Sequence, residues 1–113
     1  MVEFSEDEVL SKLLKAVSDT TRRSLLGQLC QQGPSRVTDL ANLYDMSLNA
    51  ISKHIKVLEK AGLVSRSNIG RTHWITADLK QVELMDAWLA SLKSIWALRL
   101  DNLDAILNEG ENK

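Results

Sequence analysis

The chain has 113 residues, 44% of them hydrophobic, and its 14 Lys and Arg against 15 Asp and Glu leave a formal charge of -1. That length suits one domain, that apolar content excludes a disordered chain, and no apolar run is long enough to span a bilayer. A single cysteine, Cys30, excludes an internal disulfide framework, while one Pro and five Gly favour long helices over many short strands.

The opening residues Met1 to Glu6 lack the basic-then-apolar order of a secretory leader, so a cytoplasmic protein with no membrane partner is expected. Ser5 and Glu8 read as a capping box that starts a first helix, with Val9, Leu10, Leu13, Leu14 and Val17 on one apolar face. Ser18-Asp19-Thr20 interrupts it, and Asp19 or Thr20 starts a second helix carrying Leu25, Leu26 and Leu29. Cys30, at helical spacing with Leu26, is expected as a small buried hydrophobe. Gly33 and Pro34 stop this helix.

From Ser35 a short helix is expected to turn Val37, Leu40, Ala41 and Leu43 inward, followed by a break at Tyr44-Asp45-Met46. Ser47 then caps a fourth helix that runs to about Ala61 and closes at Gly62. Beyond it the period changes. Leu63 to Ser67 and Thr72 to Thr76 read as two strands joined by a turn at Asn68-Ile69-Gly70-Arg71. His73 is expected on the surface of this hairpin, and Trp74 is expected to pack it onto the domain. From Leu79 to Glu109 neither Gly nor Pro occurs, which predicts one long helix. The order describes a winged helix-turn-helix, mainly α with a small β-hairpin. It forms a single domain over residues 1–113, with a core at 18–77 and dimerisation helices at about 6–17 and 79–107.

The balanced charge opposes a nucleic-acid partner only when averaged over the chain. Residues 1–46 carry net -2 and residues 77–113 net -3, but residues 47–76 hold Lys53, Lys56, Lys60, Arg66 and Arg71 against Glu59, net +4. On the fourth helix Leu48, Ile51, Ile55 and Leu58 form an inward stripe, with Asn49, Lys53, Lys56 and Lys60 opposite. Such a helix suits a DNA major groove: residues near its start read base edges, and lysines neutralise phosphates. Asn49 offers the donor–acceptor pair for adenine, Ser52 reaches a base or a phosphate, and Arg66 and Arg71 grip the flanking backbone or the minor groove. The expected DNA-contacting set is Ser47, Asn49, Ala50, Ser52, Lys53, His54, Lys56, Lys60, Arg66 and Arg71, with His54 open to a packed, orienting role instead.

Three segments together resemble the ArsR family of bacterial winged-helix repressors. They are Ser18-Asp19-Thr20-Thr21-Arg22-Arg23, Val37-Thr38-Asp39-Leu40-Ala41, and the run from Ala50-Ile51-Ser52-Lys53-His54 to Ala61-Gly62-Leu63-Val64, with Gly70-Arg71 following. The resemblance covers residues from about 10 to 107. It departs at Thr20, where the family commonly has Pro, a place that Thr also suits. It implies a homodimeric regulator of transcription that binds double-stranded DNA, most often as a repressor of its own operon.

Members of that family often sense metals. The positions that resemble a Cys-x-Cys ligand pair are Arg36-Val37-Thr38 here, and residues 79–113 contain no His to join Glu83, Asp86, Asp101 and Asp104. A lone cysteine closes no sensing disulfide. No metal site and no cofactor are therefore expected, and a small-molecule effector is left open.

On the last helix Met85, Leu89, Leu92, Trp96, Leu100, Leu103 and Leu107 share one stripe, widened by Leu84, Trp88, Ile95 and Ile106. Such a helix is about 45 Å long, against a diameter of roughly 34 Å for a compact chain of this size. A second copy is the simplest cover, with an expected interface of Leu10, Leu13, Leu14, Leu89, Leu92, Trp96, Leu100, Leu103 and Leu107. Trp88 and Trp96 are expected as packing anchors rather than as the lining of a ligand cavity, and Arg99, inside the apolar arc, should meet an acid. A two-fold dimer would read a palindromic operator. The alternative reading is a protein-interaction module whose basic face meets an acidic protein. An enzyme is not expected, because no nucleophile–base pair or phosphate-binding loop is present.

Overall fold

The computed structural model describes residues 5–111; Met1 to Phe4, on which the reading of the leader rests, and Asn112 and Lys113 lie outside the described residues. Eight elements follow in order: α1 (Glu6–Ala16), α2 (Thr20–Gln32), β1 (Ser35–Arg36), α3 (Val37–Leu43), α4 (Leu48–Lys60), β2 (Val64–Ile69), β3 (Thr72–Ala77) and α5 (Val82–Glu111). The sheet is antiparallel, in the order β1-β3-β2. The two-residue β1, paired through Ser35 to Ile75 and Arg36 to Trp74, adds a third strand to the expected hairpin.

Local chemistry sets the helix boundaries. Ser5 accepts from the Glu8 backbone N–H at 3.3 Å, and three acids occupy the first turn of α1, at the positive end of its dipole. Asp19 caps α2 by accepting from the Arg22 N–H at 3.0 Å, leaving Thr20 as the first helical residue. The wing turn is shorter than the sequence suggests. Ile69 pairs directly with Thr72, so only Gly70 and Arg71 form the turn, and Gly70 takes a φ of 64° as a type II′ turn requires.

One apolar core joins the five helices and the two wing strands. Leu13, Leu25, Ile51, Ile55, Leu58, Leu63 and Ile75 are fully buried, with Leu29 and Leu40 nearly so. Trp74 is half-buried between β1 and the end of α2, as expected of a residue that seats the wing.

Four apolar expectations fail. Leu43 is 59% exposed, because it lies roughly 110° around α3 from the Val37–Leu40–Ala41 face. Leu48 is 54% exposed, because the first turn of α4 projects past α3 toward the wing. Cys30 is exposed, because the buried face of α2 runs through Leu25 and Leu29 and the next residue turns outward. Leu13, expected at a dimer interface, is wholly inside the subunit core.

α5 begins against the core through Val82, Leu84 and Met85, and every residue from Asp86 to Asn108 is exposed. The result is an elongated molecule of 76 × 37 × 20 Å with a radius of gyration of 20.5 Å, against about 13 Å for a compact chain of similar length.

Candidate nucleic-acid interface

The turn from α3 to α4 places the candidate reading helix. The Met46 N–H donates to the Ala41 carbonyl at 3.0 Å and the Asp45 N–H to the Asn42 carbonyl at 3.2 Å, a Schellman closure. Asp45 sits at its apex with a φ of 51°. The Tyr44 hydroxyl, 2.8 Å from Ser24 Oγ, ties the turn to α2. Ser47 then caps α4, its Oγ accepting from the Ala50 N–H at 3.1 Å. Ser47 is thus both exposed at the helix start and engaged as a cap.

Burial of Ile51, Ile55 and Leu58 fixes the rotation of α4, so Asn49, Lys53 and Lys56 stand in solvent on the opposite face. Ala50 and Ser52 are half-buried. Between the start of α4 and the wing lies an open cleft of about 390 Å³. Three arginines line it, Arg36, Arg66 and Arg71, with Val37, Thr38, Ser52, Thr72, His73 and the exposed Leu48.

Two of the three arginines have acidic partners. Arg36 forks onto Asp39, with Nε 2.9 Å from Oδ2 and the second nitrogen 3.2 Å from Oδ1. Arg66 lies 3.6 Å from Glu59, which ties β2 to the last turn of α4 and leaves Arg66 half-buried. Arg71, at the wing tip, is exposed. His73 is exposed on the hairpin as expected, with its Nδ1 2.5 Å from Asn68 Oδ1 across the wing.

His54 points elsewhere. Its Nδ1 lies 3.8 Å from Asp19 Oδ2, half-buried against the start of α2. That placement separates His54 from the Lys53–Lys56 face. The Arg22 backbone N–H above all holds the Asp19 carboxyl below its ordinary range against the opposing effect of burial, with the charges of Arg22 and His54 acting in the same direction as the N–H. Lys60 also leaves the expected face. It stands at the far end of α4, beside Lys12 and Lys15 of α1.

The structure therefore brings Ser52, Arg66 and Arg71 to one cleft and sets Asn49, Lys53 and Lys56 on the adjoining helix face. Arg36, Thr38 and Thr72 join the cleft without having been expected in the DNA-contacting set. Arg36 comes there through β1, too short to leave a periodic signal, and Thr72 as the first residue of β3.

The positions of the resembled metal ligands carry no thiolate, and among the described residues no group of three or more His, Cys, Asp or Glu is placed to hold a metal. No helix among those residues is long and apolar enough to cross a membrane. On α5, Leu89, Leu92, Trp96, Leu100, Leu103 and Leu107 are all exposed, as is Leu14 on α1, while Leu10 is half-buried. Arg99 is exposed and makes no ion pair among the described residues.

A family model described as bacterial regulatory protein, arsR family, matches residues 19–66. The chain is 32% identical over 85 residues to the arsenical resistance operon repressor of Bacillus subtilis (strain 168), covering 69% of this chain and 79% of that one. It is 32% identical over 62 residues to the transcriptional repressor SdpR of the same organism, covering 55% and 68%. Among solved structures, an ArsR-like transcriptional regulator from Rhodococcus sp. RHA1 superposes with a TM-score of 0.82 at 26% identity, over 90% of this chain and 93% of that one. An ArsR family transcriptional regulator at 33% identity superposes with a TM-score of 0.75, over 86% and 97%.

Proposed function

The chain belongs to the ArsR family of bacterial regulatory proteins, and on that premise we propose that it is a homodimeric repressor that binds a palindromic operator without sensing a metal. Membership makes it a DNA-binding regulator of transcription and not an enzyme. The observation that carries the finer reading is the cationic cleft between the capped start of α4 and the wing, continuous with the Asn49–Lys53–Lys56 face.

In this reading α4 enters the major groove, and Asn49 and Ser52 meet base edges. Lys53 and Lys56 neutralise phosphates, while Arg71 at the wing tip reaches the flanking backbone. Arg36 and Arg66, steadied by Asp39 and Glu59, shape the cleft between them. His54 orients α4 through Asp19.

The homodimer rests on α5. Its apolar stripe stays in water over most of its length in the single chain, and burying it against a second copy removes that exposure. Two reading helices would then stand about one DNA turn apart, roughly 34 Å. Metal independence rests on the residues at the ligand positions, where Arg36, Val37 and Thr38 supply no soft donor.

Selection of bound fragments from genomic DNA tests the reading. A palindromic site should emerge. Asn49→Ala should relax preference within it, and Lys56→Ala should weaken all duplexes while lowering the salt slope by about one. If both variants bind specific and random duplexes as the parent does, the docking is wrong. Stoichiometric zinc binding that alters operator affinity would refute metal independence.

A further inference from the structure

Within the apolar stripe of α5 stands a single charged residue, Arg99. It falls within about 20° of Leu92 around the helix, between Leu103 and Ile106 in projection. Arg99 is exposed and makes no ion pair among the described residues. The acids of α5 whose side chains are described do not share its face: Glu83, Asp86, Asp101 and Asp104 lie roughly 120° or more from Leu92. Toward the start of α5, Glu6 and Asp7 of α1 and Trp88 line an open depression of about 240 Å³, with Leu10, Leu84 and Ala87. Both acids are exposed, and neither makes an ion pair among the described residues.

Covering the stripe with a second copy takes Arg99 out of water, and a charge buried there without a partner is costly. A parallel two-fold pairing of α5 raises that cost, because it sets Arg99 against its own copy, like charge on like. An antiparallel pairing moves Arg99 along the partner helix instead. Setting it opposite the partner's Trp88 puts the two-fold axis between Lys93 and Ser94, inside the apolar stretch. The same register lays Leu100 opposite the partner's Ala87 and Leu103 opposite the partner's Leu84, which line that depression. One register thus sets charge against opposite charge and apolar side chains against apolar ones.

We propose that, in the homodimer inferred above, α5 packs antiparallel on its copy and Arg99 of each chain docks in the depression formed by the partner's Glu6, Asp7 and Trp88. The guanidinium meets the two carboxylates and lies over the indole face. The contact occurs twice by symmetry, and its register sets how far apart the two reading helices stand. It rests on the homodimer reading, which can hold with a different register.

Sedimentation of the full chain across a concentration series tests the contact by charge exchange. Arg99→Glu should weaken self-association by about tenfold or more, and so should Glu6→Lys combined with Asp7→Lys. Lysines at the start of α1 also oppose its dipole, so the deciding sample is the equimolar mixture of the two variants. There one contact holds the parental pair and the other the exchanged pair, and association should return to within about threefold of the parent. Asp101→Lys combined with Asp104→Lys makes the same charge change off the stripe, and its mixture with Arg99→Glu should show no such return. Arg99→Glu that associates as the parent does, a mixture no tighter than its components, or equal rescue by the Asp101 and Asp104 variant would overturn the contact and leave the homodimer standing. A parent that stays monomeric overturns the homodimer and the contact together.

Discussion

The Asp19 carboxylate serves two helices at once: it caps α2 through the Arg22 N–H at 3.0 Å and lies 3.8 Å from His54 Nδ1 on α4. The start of α2 and the middle of α4 are thereby referred to one side chain. Its depressed acidity, caused first by the Arg22 N–H, means that the folded state favours the charged form. The stability it contributes is therefore fully present above the ordinary Asp range and fades as pH falls through the lower, folded value. Denaturant titration of the parent and Asp19→Asn checks this. The parent's advantage should hold steady above about pH 4 and shrink below it.

Arg22 makes a separate clamp. Its Nε donates to the Ala16 carbonyl at 2.7 Å and a terminal nitrogen to the Lys15 carbonyl at 3.1 Å, while Arg23 reaches the Val17 carbonyl at 2.7 Å. The last carbonyls of α1 have no partner in their own helix, so the guanidinium groups that open α2 satisfy them. Replacing Arg22 with Leu should cost about 2 kcal/mol, since two charge-assisted bonds are lost, the one to the Ala16 carbonyl partly buried. Arg22→Lys should recover less than half of that, because one ammonium cannot span both carbonyls. Thermal unfolding followed by circular dichroism distinguishes the two.

Element types were legible wherever apolar period and caps agreed, as at Ser5, Ser47 and Gly62. Legibility failed where neighbours, rather than local pattern, decide the outcome. Leu48 lies near the apolar stripe of α4 yet is exposed, because α3 ends before reaching it. β1 has only two residues, so no alternation announces it, and its effect is to carry Arg36 to the cleft. The segment Ser18 to Arg23 was readable as a family motif, but its clamp on α1 depends on side-chain reach that spacing alone does not reveal. Lys60 shares a helical face with Lys53 and Lys56 in projection. Its distance along the axis, about 10 Å from Lys53, is what sets it beside Lys12 and Lys15 of α1.

Two helices end in the same hydrogen-bonded turn with different residues at its apex. α4 closes with the Gly62 N–H on the Glu59 carbonyl at 3.0 Å and the Leu63 N–H on Leu58 at 2.9 Å, with Gly62 at a φ of 79°. α3 closes the same way with Asp45 at 51°. A side chain pays little at Asp45 only because Asp tolerates this region better than most residues. Asp45→Gly should therefore stabilise by about 0.5 kcal/mol, the relief of backbone strain slightly exceeding the added entropy of the unfolded chain. Gly62→Ala should destabilise by about 1 kcal/mol or more, since its Cβ would also meet Gln81 Cγ at 3.2 Å. Chemical denaturation of both variants measures the contrast, and a loss in Asp45→Gly would show that the Asp side chain itself holds the turn.

The proposed dimer makes α5 an obligatory surface rather than a passive extension. Trp96 is 65% exposed in the single chain and Leu92 46%, one turn apart on the same stripe. Large aromatic side chains at the centre of an interface carry a disproportionate share of its energy. Trp96→Glu should weaken self-association at least about thirtyfold, corresponding to roughly 2 kcal/mol or more. Sedimentation across a concentration series reads this directly. The core of the subunit lies away from Trp96, so the variant should keep a cooperative melt while losing affinity for a palindromic site more than for a single half-site. A parent that sediments as a folded monomer at micromolar concentration would instead leave α5 as the docking face for a different protein.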